Sequence, residues 1–224
     1  PTIISFTSTT ADGSYKSAGT VNITATVSET IVSGNTITVT LDTSDNVTLT
    51  AAANGTTLVG TYTVSSGDTS SDLNVSSFSI GTVTDSAGNA MTSTTVPATN
   101  IATGSAIVID NTVPTIISFT STTADGSYKS TGTVNITATA SEAVVSGNTI
   151  TVTLDTGATV VLTAPANGTT LVGTYTVVAG NNSSDLTVSS FSIGTVTDSA
   201  GNVMTSTSVP ATNIDTDSDI VIST

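Results

Sequence analysis

The sequence contains no cysteine, histidine, tryptophan, arginine or glutamine. Each absence removes a class of function. Without histidine, no side chain has an ordinary pKa suited to shuttling protons near neutrality. Without cysteine there is neither a thiolate nucleophile nor a disulfide. Serine is abundant but has no histidine to activate it, and no Ser–Lys constellation stands out. Paired carboxylates of the glycosidase type would need a cleft, usually lined with aromatic rings, and only four Phe and four Tyr are present. The sequence therefore reads as non-enzymatic. Positive charge is almost missing as well. Lys16 and Lys129 stand against 16 acidic residues, for a formal net charge of −14. That balance excludes nucleic acid, whose binding relies on Lys and Arg neutralising phosphate, and argues against anionic membrane surfaces. No apolar run is long enough for direct membrane insertion.

What is present is Thr, Ser, Val, Ala, Gly and Asn, with a hydrophobic fraction of only 37%. Thr and Val suit a pleated, half-buried surface. This content fills one or two thin sandwich cores rather than a wide globular interior. The decisive feature is internal repetition. The segment from Pro1 to Ser17 recurs word for word from Pro114 to Ser130, and across the 111 aligned positions 21 differ, without insertion or deletion. The repeating unit is too long for a solenoid repeat and has the size of a self-contained domain. Within it, Val21–Thr26, Thr36–Leu41, Thr57–Val64, Ser77–Thr84 and Ala106–Asp110 show strand alternation. Turn clusters separate them at Ala11–Ser14, Ser33–Asn35, Ala53–Gly55 and Ser66–Asp68. The fold class predicted is all-β, as two tandem Ig-like (Greek-key) β-sandwich domains spanning residues 1–110 and 111–224, with a closed barrel as the alternative.

Three further features carry a family resemblance. They are Thr84-Asp85-Ser86-Ala87-Gly88-Asn89, which returns at Thr197–Asn202, the Ser28-Glu29 pair closing the second predicted strand, and Ile109-Asp110-Asn111-Thr112-Val113-Pro114 at the junction. Together they resemble the D-x-A-G-N pattern of bacterial Ig-like tandem repeats in large surface adhesins, and the Asp-Asn before a proline is similar to the cadherin linker. The resemblance covers the whole sequence, once per repeat. It implies a stalk or spacer module, often with calcium at domain junctions, and an extracellular place on the bacterial cell surface.

Calcium takes six to eight hard oxygen ligands. In an Ig-like strand order, Glu142 ends the second strand of repeat 2 and Asp198 opens its last hairpin loop, so both are expected to face the linker carrying Asp110 and Asn111. Asp12, in the first loop of repeat 1, is expected to face the same junction. Asp12, Asp110, Asn111, Glu142 and Asp198 are thus the candidate calcium ligands. Without a cation such a cluster would repel itself, and Lys16 is the only basic residue nearby in sequence. Taken singly, Asp12 and Asp198 also read as turn formers. Repeat 2 adds Asp215, Asp217 and Asp219 where repeat 1 has Ala102, Gly104 and Ala106. These read either as a solvated edge face that discourages aggregation or as a further cation site.

Two functions from different classes follow. The first is a structural spacer in a long extracellular adhesin, whose partners are neighbouring repeats of the same chain and whose junctions calcium stiffens. The second is a repeat of a self-assembling surface filament, sheath or S-layer protein, with lateral copies as partners. On either reading, any export signal or anchor is expected outside this sequence. Several Asn-x-Ser/Thr triplets, including Asn22, Asn54, Asn135 and Asn167, are attributed to the Thr-rich composition.

Overall fold

The computed structural model describes residues 1–224 and divides them into two compact units, Pro1–Asn111 and Thr112–Thr224. Unit 1 contains β1 (Ile3–Thr7), β2 (Gly13–Tyr15), β3 (Thr20–Ile31), β4 (Thr36–Leu41), β5 (Asn46–Thr50), β6 (Gly55–Thr63), β7 (Val75–Thr82), a 3-10 turn (Ile101–Thr103) and β8 (Ile107–Ile109). Unit 2 repeats the series as β9 (Ile116–Thr120), β10 (Gly126–Tyr128), β11 (Thr133–Val144), β12 (Thr149–Leu154), β13 (Thr159–Thr163), β14 (Gly168–Thr176), β15 (Val188–Thr195), the one-turn helix α1 (Ile214–Asp217) and β16 (Ile220–Ile222).

The chemistry of the strands explains the sheet. In β4 every second residue is apolar and buried (Ile37, Val39, Leu41), while the threonines between them face outward. β3 alternates in the same way up to Val27, and then its register against β6 shifts between Thr26 and Ile31. The hydrogen-bonded order in unit 1 is β1-β3-β6-β5-β4-β7, six strands in one antiparallel sheet. Laid flat, the outermost strands of such a sheet would be about 24 Å apart. Yet Phe6 on β1 and Phe78 on β7 meet edge to face with ring centroids 5.6 Å apart. The sheet therefore folds over onto itself as a two-layer sandwich. The crease lies between β5 and β6, which share only the pair Thr50↔Val59. Gly60 permits it, because a Cβ there would sit 2.6 Å from the Thr48 carbonyl and from Leu49 Cδ2. Unit 2 has the same sheet order, with Phe119 against Phe191 at 5.6 Å and Gly173 at the crease.

A second, two-stranded element closes each unit. β2 runs parallel to β8, with Gly13 opposite Ile107 and Tyr15 opposite Ile109, and β10 pairs with β16 in the same way. The last strand of each unit thus lies beside residues near its start. No helix is long and apolar enough to cross a membrane.

Candidate cation-binding carboxylates

The loop after β15 fixes Asp198 through the D-S-A-G-N sequence itself. Asp198 N–H donates to the Asn202 carbonyl, and Gly201 N–H donates back to the Asp198 carbonyl. Gly201, at φ +84°, supplies the left-handed residue that the hairpin needs. The Asp198 carboxylate accepts from Asn202 N–H at 2.8 Å and from Asn202 Nδ2 at 2.7 Å. An antiparallel bridge to Val144 and a bond from Val145 N–H to the Thr197 carbonyl tie this loop to the end of β11. Glu142 precedes Val144 by two residues, so strand alternation puts both on one face. A carboxylate oxygen of Glu142 lies within 4.8 Å of one from Asp198. Asp198 is 3% exposed. Two carboxylates this close repel each other when both are ionised, and a cation between them relieves that repulsion.

Unit 1 builds the same loop. Asp85 accepts from Ala87 N–H, Asn89 N–H and Asn89 Nδ2. The Asn89 side chain, followed by its backbone N–H, holds this carboxyl below the usual aspartate range. The aspartate of D-S-A-G-N is thus a loop organiser in both units, which agrees with its reading as a turn former.

Asp110 and Asn111 follow β8. The Asp110 N–H donates to the Tyr15 carbonyl, which fixes its backbone at the far end of the β2–β8 ribbon. The Asn111 amide serves as a clip. Its Oδ1 accepts from Ser17 N–H at 2.7 Å, and its Nδ2 donates to the carbonyls of Ser65 and Asp68. These bonds are why the compact unit extends through Asn111, one residue beyond the boundary expected from sequence.

Asp12 does not join Asp110. Its carboxylate accepts from Ala106 N–H at 2.8 Å and so caps the start of the ribbon, whereas Asp110 follows its end. Four residues of extended strand separate the two positions, about 13 Å. The expectation failed because β2 pairs in parallel with β8, which turns the first loop away from the end of the unit. Asp125 repeats the cap in unit 2 by accepting from Asp219 N–H.

Asp215, Asp217 and Asp219 do not share a strand face. Asp215 and Asp217 lie in α1, which is capped by Asn213, and Asp219 lies in the segment that leads into β16. With Asp125, Thr216 and Ser218 they line a shallow cavity of about 250 Å³. The sequon asparagines Asn22 and Asn135 are structural. Each Oδ1 accepts from two successive backbone N–H groups and from nearby hydroxyls in the turn after the first strand of its unit.

Sequence reasoning missed one polar cluster entirely. In unit 1, Asp68 accepts from the Tyr62 hydroxyl and from Ser65 N–H, each at 2.6 Å. Asp45 approaches Asp68 from the turn between β4 and β5. Unit 2 has Asn181 and Ala158 at these two positions. The only sequence signal was that both acidic residues are lost together.

Fold and loops define this protein as a tandem of β-sandwich units carrying acidic, turn-organising loops. In comparisons with known proteins, no protein-family model and no curated protein sequence matches the chain.

Proposed function

We propose that these units are structural spacers of a long extracellular bacterial adhesin, rigidified by calcium at the junction between them. The observation that carries the reading is the pairing of Glu142 with the buried Asp198 within 4.8 Å, in a protein with only two lysines and no arginine. Oxygen donors of this kind suit calcium. Asp110, which leads out of unit 1, is the third carboxylate assigned to the ion. Asn111 is withdrawn from the donor set because its amide already clips the exit segment to Ser17, Ser65 and Asp68, and Asp12 because it caps the ribbon at Ala106. Each unit has its own core, so unit number can set length without altering either domain. The repeated sequence supports that use.

The test is calcium against EDTA on the full chain. Calcium at about 100 times its Kd stabilises the ion-binding state by about 2.7 kcal/mol, so the melting temperature rises by several degrees. Small-angle scattering then shows a narrower distribution of overall dimensions. Glu142→Gln with Asp198→Asn removes both responses. Unchanged melting and scattering on chelation would refute the calcium assignment. Ordered polymers in sedimentation and electron microscopy would instead favour the self-assembling filament or S-layer reading.

A further inference from the structure

Unit 1 contains a carboxylate pair that the ordinary rules of polar satisfaction leave incomplete. Oδ2 of Asp45 is buried and has no hydrogen-bond donor. The Asp45 carboxyl faces the Asp68 carboxylate, which when ionised can only accept, together with the hydroxyls of Tyr62 and Thr43. The Tyr62 hydroxyl carries one proton and gives it to Asp68 Oδ2. Ser65 N–H also points at Asp68 Oδ2. The titratable groups facing Asp45 are Asp68 and Tyr62, and Thr43 adds a hydroxyl. A proton between the two carboxylates would complete the cluster.

We propose that Asp45 and Asp68 share a single proton, so that the turn holding the exit segment of unit 1 responds to pH while the matching turn of unit 2 does not. The turn in question runs from Ser65 to Asp68, and the carbonyls of both residues accept from Asn111 Nδ2. In unit 2 the same turn is built from neutral groups. Asn181 accepts from the Tyr175 hydroxyl at 2.8 Å and from Val178 N–H at 3.2 Å, and Ala158 stands where Asp45 would be.

The two acids shift in opposite directions. Asp45 is raised, chiefly by desolvation and then by its contact with Asp68. Asp68 is lowered by the Tyr62 hydroxyl, Ser65 N–H and Asp45, which together outweigh its own desolvation. A raised carboxyl contributes stability below its unfolded pKa, near 4, and loses it as pH rises through the folded value. A lowered one contributes above that unfolded pKa and loses it as pH falls through the folded value. The pair therefore favours the folded turn most near and just above pH ~4, with one proton bound. Towards neutrality the second ionisation sets two carboxylates against each other, and the turn loosens.

Carboxyl-carbon NMR titration of the full chain, kept in EDTA so that no calcium contributes, tests this directly. Asp45 is expected to titrate above the ordinary aspartate range and Asp68 below it. Asp68→Asn, the residue of unit 2, moves the Asp45 midpoint down towards the ordinary aspartate range. Asp45→Ala, also the residue of unit 2, moves the Asp68 midpoint up. Hydrogen exchange on the same samples, corrected for the intrinsic rate, gives a second readout. Protection of Ser65 N–H falls several-fold as Asp45 ionises, and protection of Val178 N–H stays flat. If Asp45 titrates in the ordinary aspartate range and does not move in Asp68→Asn, the shared proton is disproved. If the titrations shift but Ser65 protection stays flat, the link to the turn is disproved.

Discussion

Units 1 and 2 have one fold and equal charge, yet they place that charge differently. Each has eight acidic residues and one lysine. Unit 1 holds Asp45, Asp68 and Asp110 where unit 2 has Ala158, Asn181 and Ser223, and unit 2 holds Asp215, Asp217 and Asp219 where unit 1 has Ala102, Gly104 and Ala106. The buried strand positions hardly change. Only Val27 against Ala140 and Ile31 against Val144 differ there. The packed positions therefore fix the sandwich, while turns and the exit segment are free to gain or lose carboxylates. The charged differences between the units all lie outside the strands.

The core difference predicts which unit is weaker. Unit 2 lacks three core carbons, and at about 0.8 kcal/mol each this is about 2 kcal/mol of lost burial. Three carboxylates gathered around Asp125 add mutual repulsion. Scanning calorimetry of the full chain in EDTA should show unit 2 unfolding first. Phe6→Ala removes a fully buried ring from unit 1, costs about 3–5 kcal/mol and inverts the order. Phe119→Ala costs unit 2 a similar amount and widens the gap. An unchanged order in Phe6→Ala would show that the two cores are not equivalent.

A smaller effect follows from the turn before β3 and β11. Ala18 has φ +71° and its counterpart Thr131 has φ +73°. Both are held there by a bond from their N–H, to Val64 and Val177 respectively. A β-branched residue in the left-handed region is strained more than alanine. Thr131→Gly should raise the stability of unit 2 by about 1 kcal/mol, and Ala18→Gly should raise that of unit 1 by about half as much. Denaturant midpoints measure both. Equal gains would mean that the branched side chain adds no strain.

The strands with strict alternation were legible from sequence. Thr36–Leu41 is predicted and observed with the same ends, because alternating apolar residues between clear turn signals leave one solution. Asn46–Thr50 carries only two apolar residues, too few to mark β5. Gly13–Tyr15 lies partly inside a segment read as a turn, since its partner β8 is more than ninety residues away and nothing local announces the pairing. The same long-range pairing redirected Asp12 from Asp110 to Ala106. At the candidate site, the closeness of Glu142 and Asp198 followed from strand order alone. The Asp45–Asp68 contact joins two turns that are sequentially remote, and it depends on how the sheet folds over.

That contact allows the finest comparison. Tyr62 and Tyr175 are both 2% exposed and share a β-strand environment, but one donates to a carboxylate and the other to an amide. Hydrogen bonds to charged groups are worth more than neutral ones. Tyr62→Phe should cost unit 1 about 1–2 kcal/mol above the ordinary aspartate pKa, after allowance for the partial exposure of Asp68. Tyr175→Phe should cost unit 2 about 1 kcal/mol. The sign with pH separates them further. The Tyr62 hydroxyl helps keep the Asp68 carboxyl low, so its contribution is present above pH ~4 and is lost as Asp68 protonates below it. Urea midpoints at mildly acidic and strongly acidic pH should therefore converge for Tyr62→Phe and its parent as pH falls, while the offset for Tyr175→Phe stays constant. A constant offset in both units would mean that the charge on Asp68 contributes nothing to the bond it accepts.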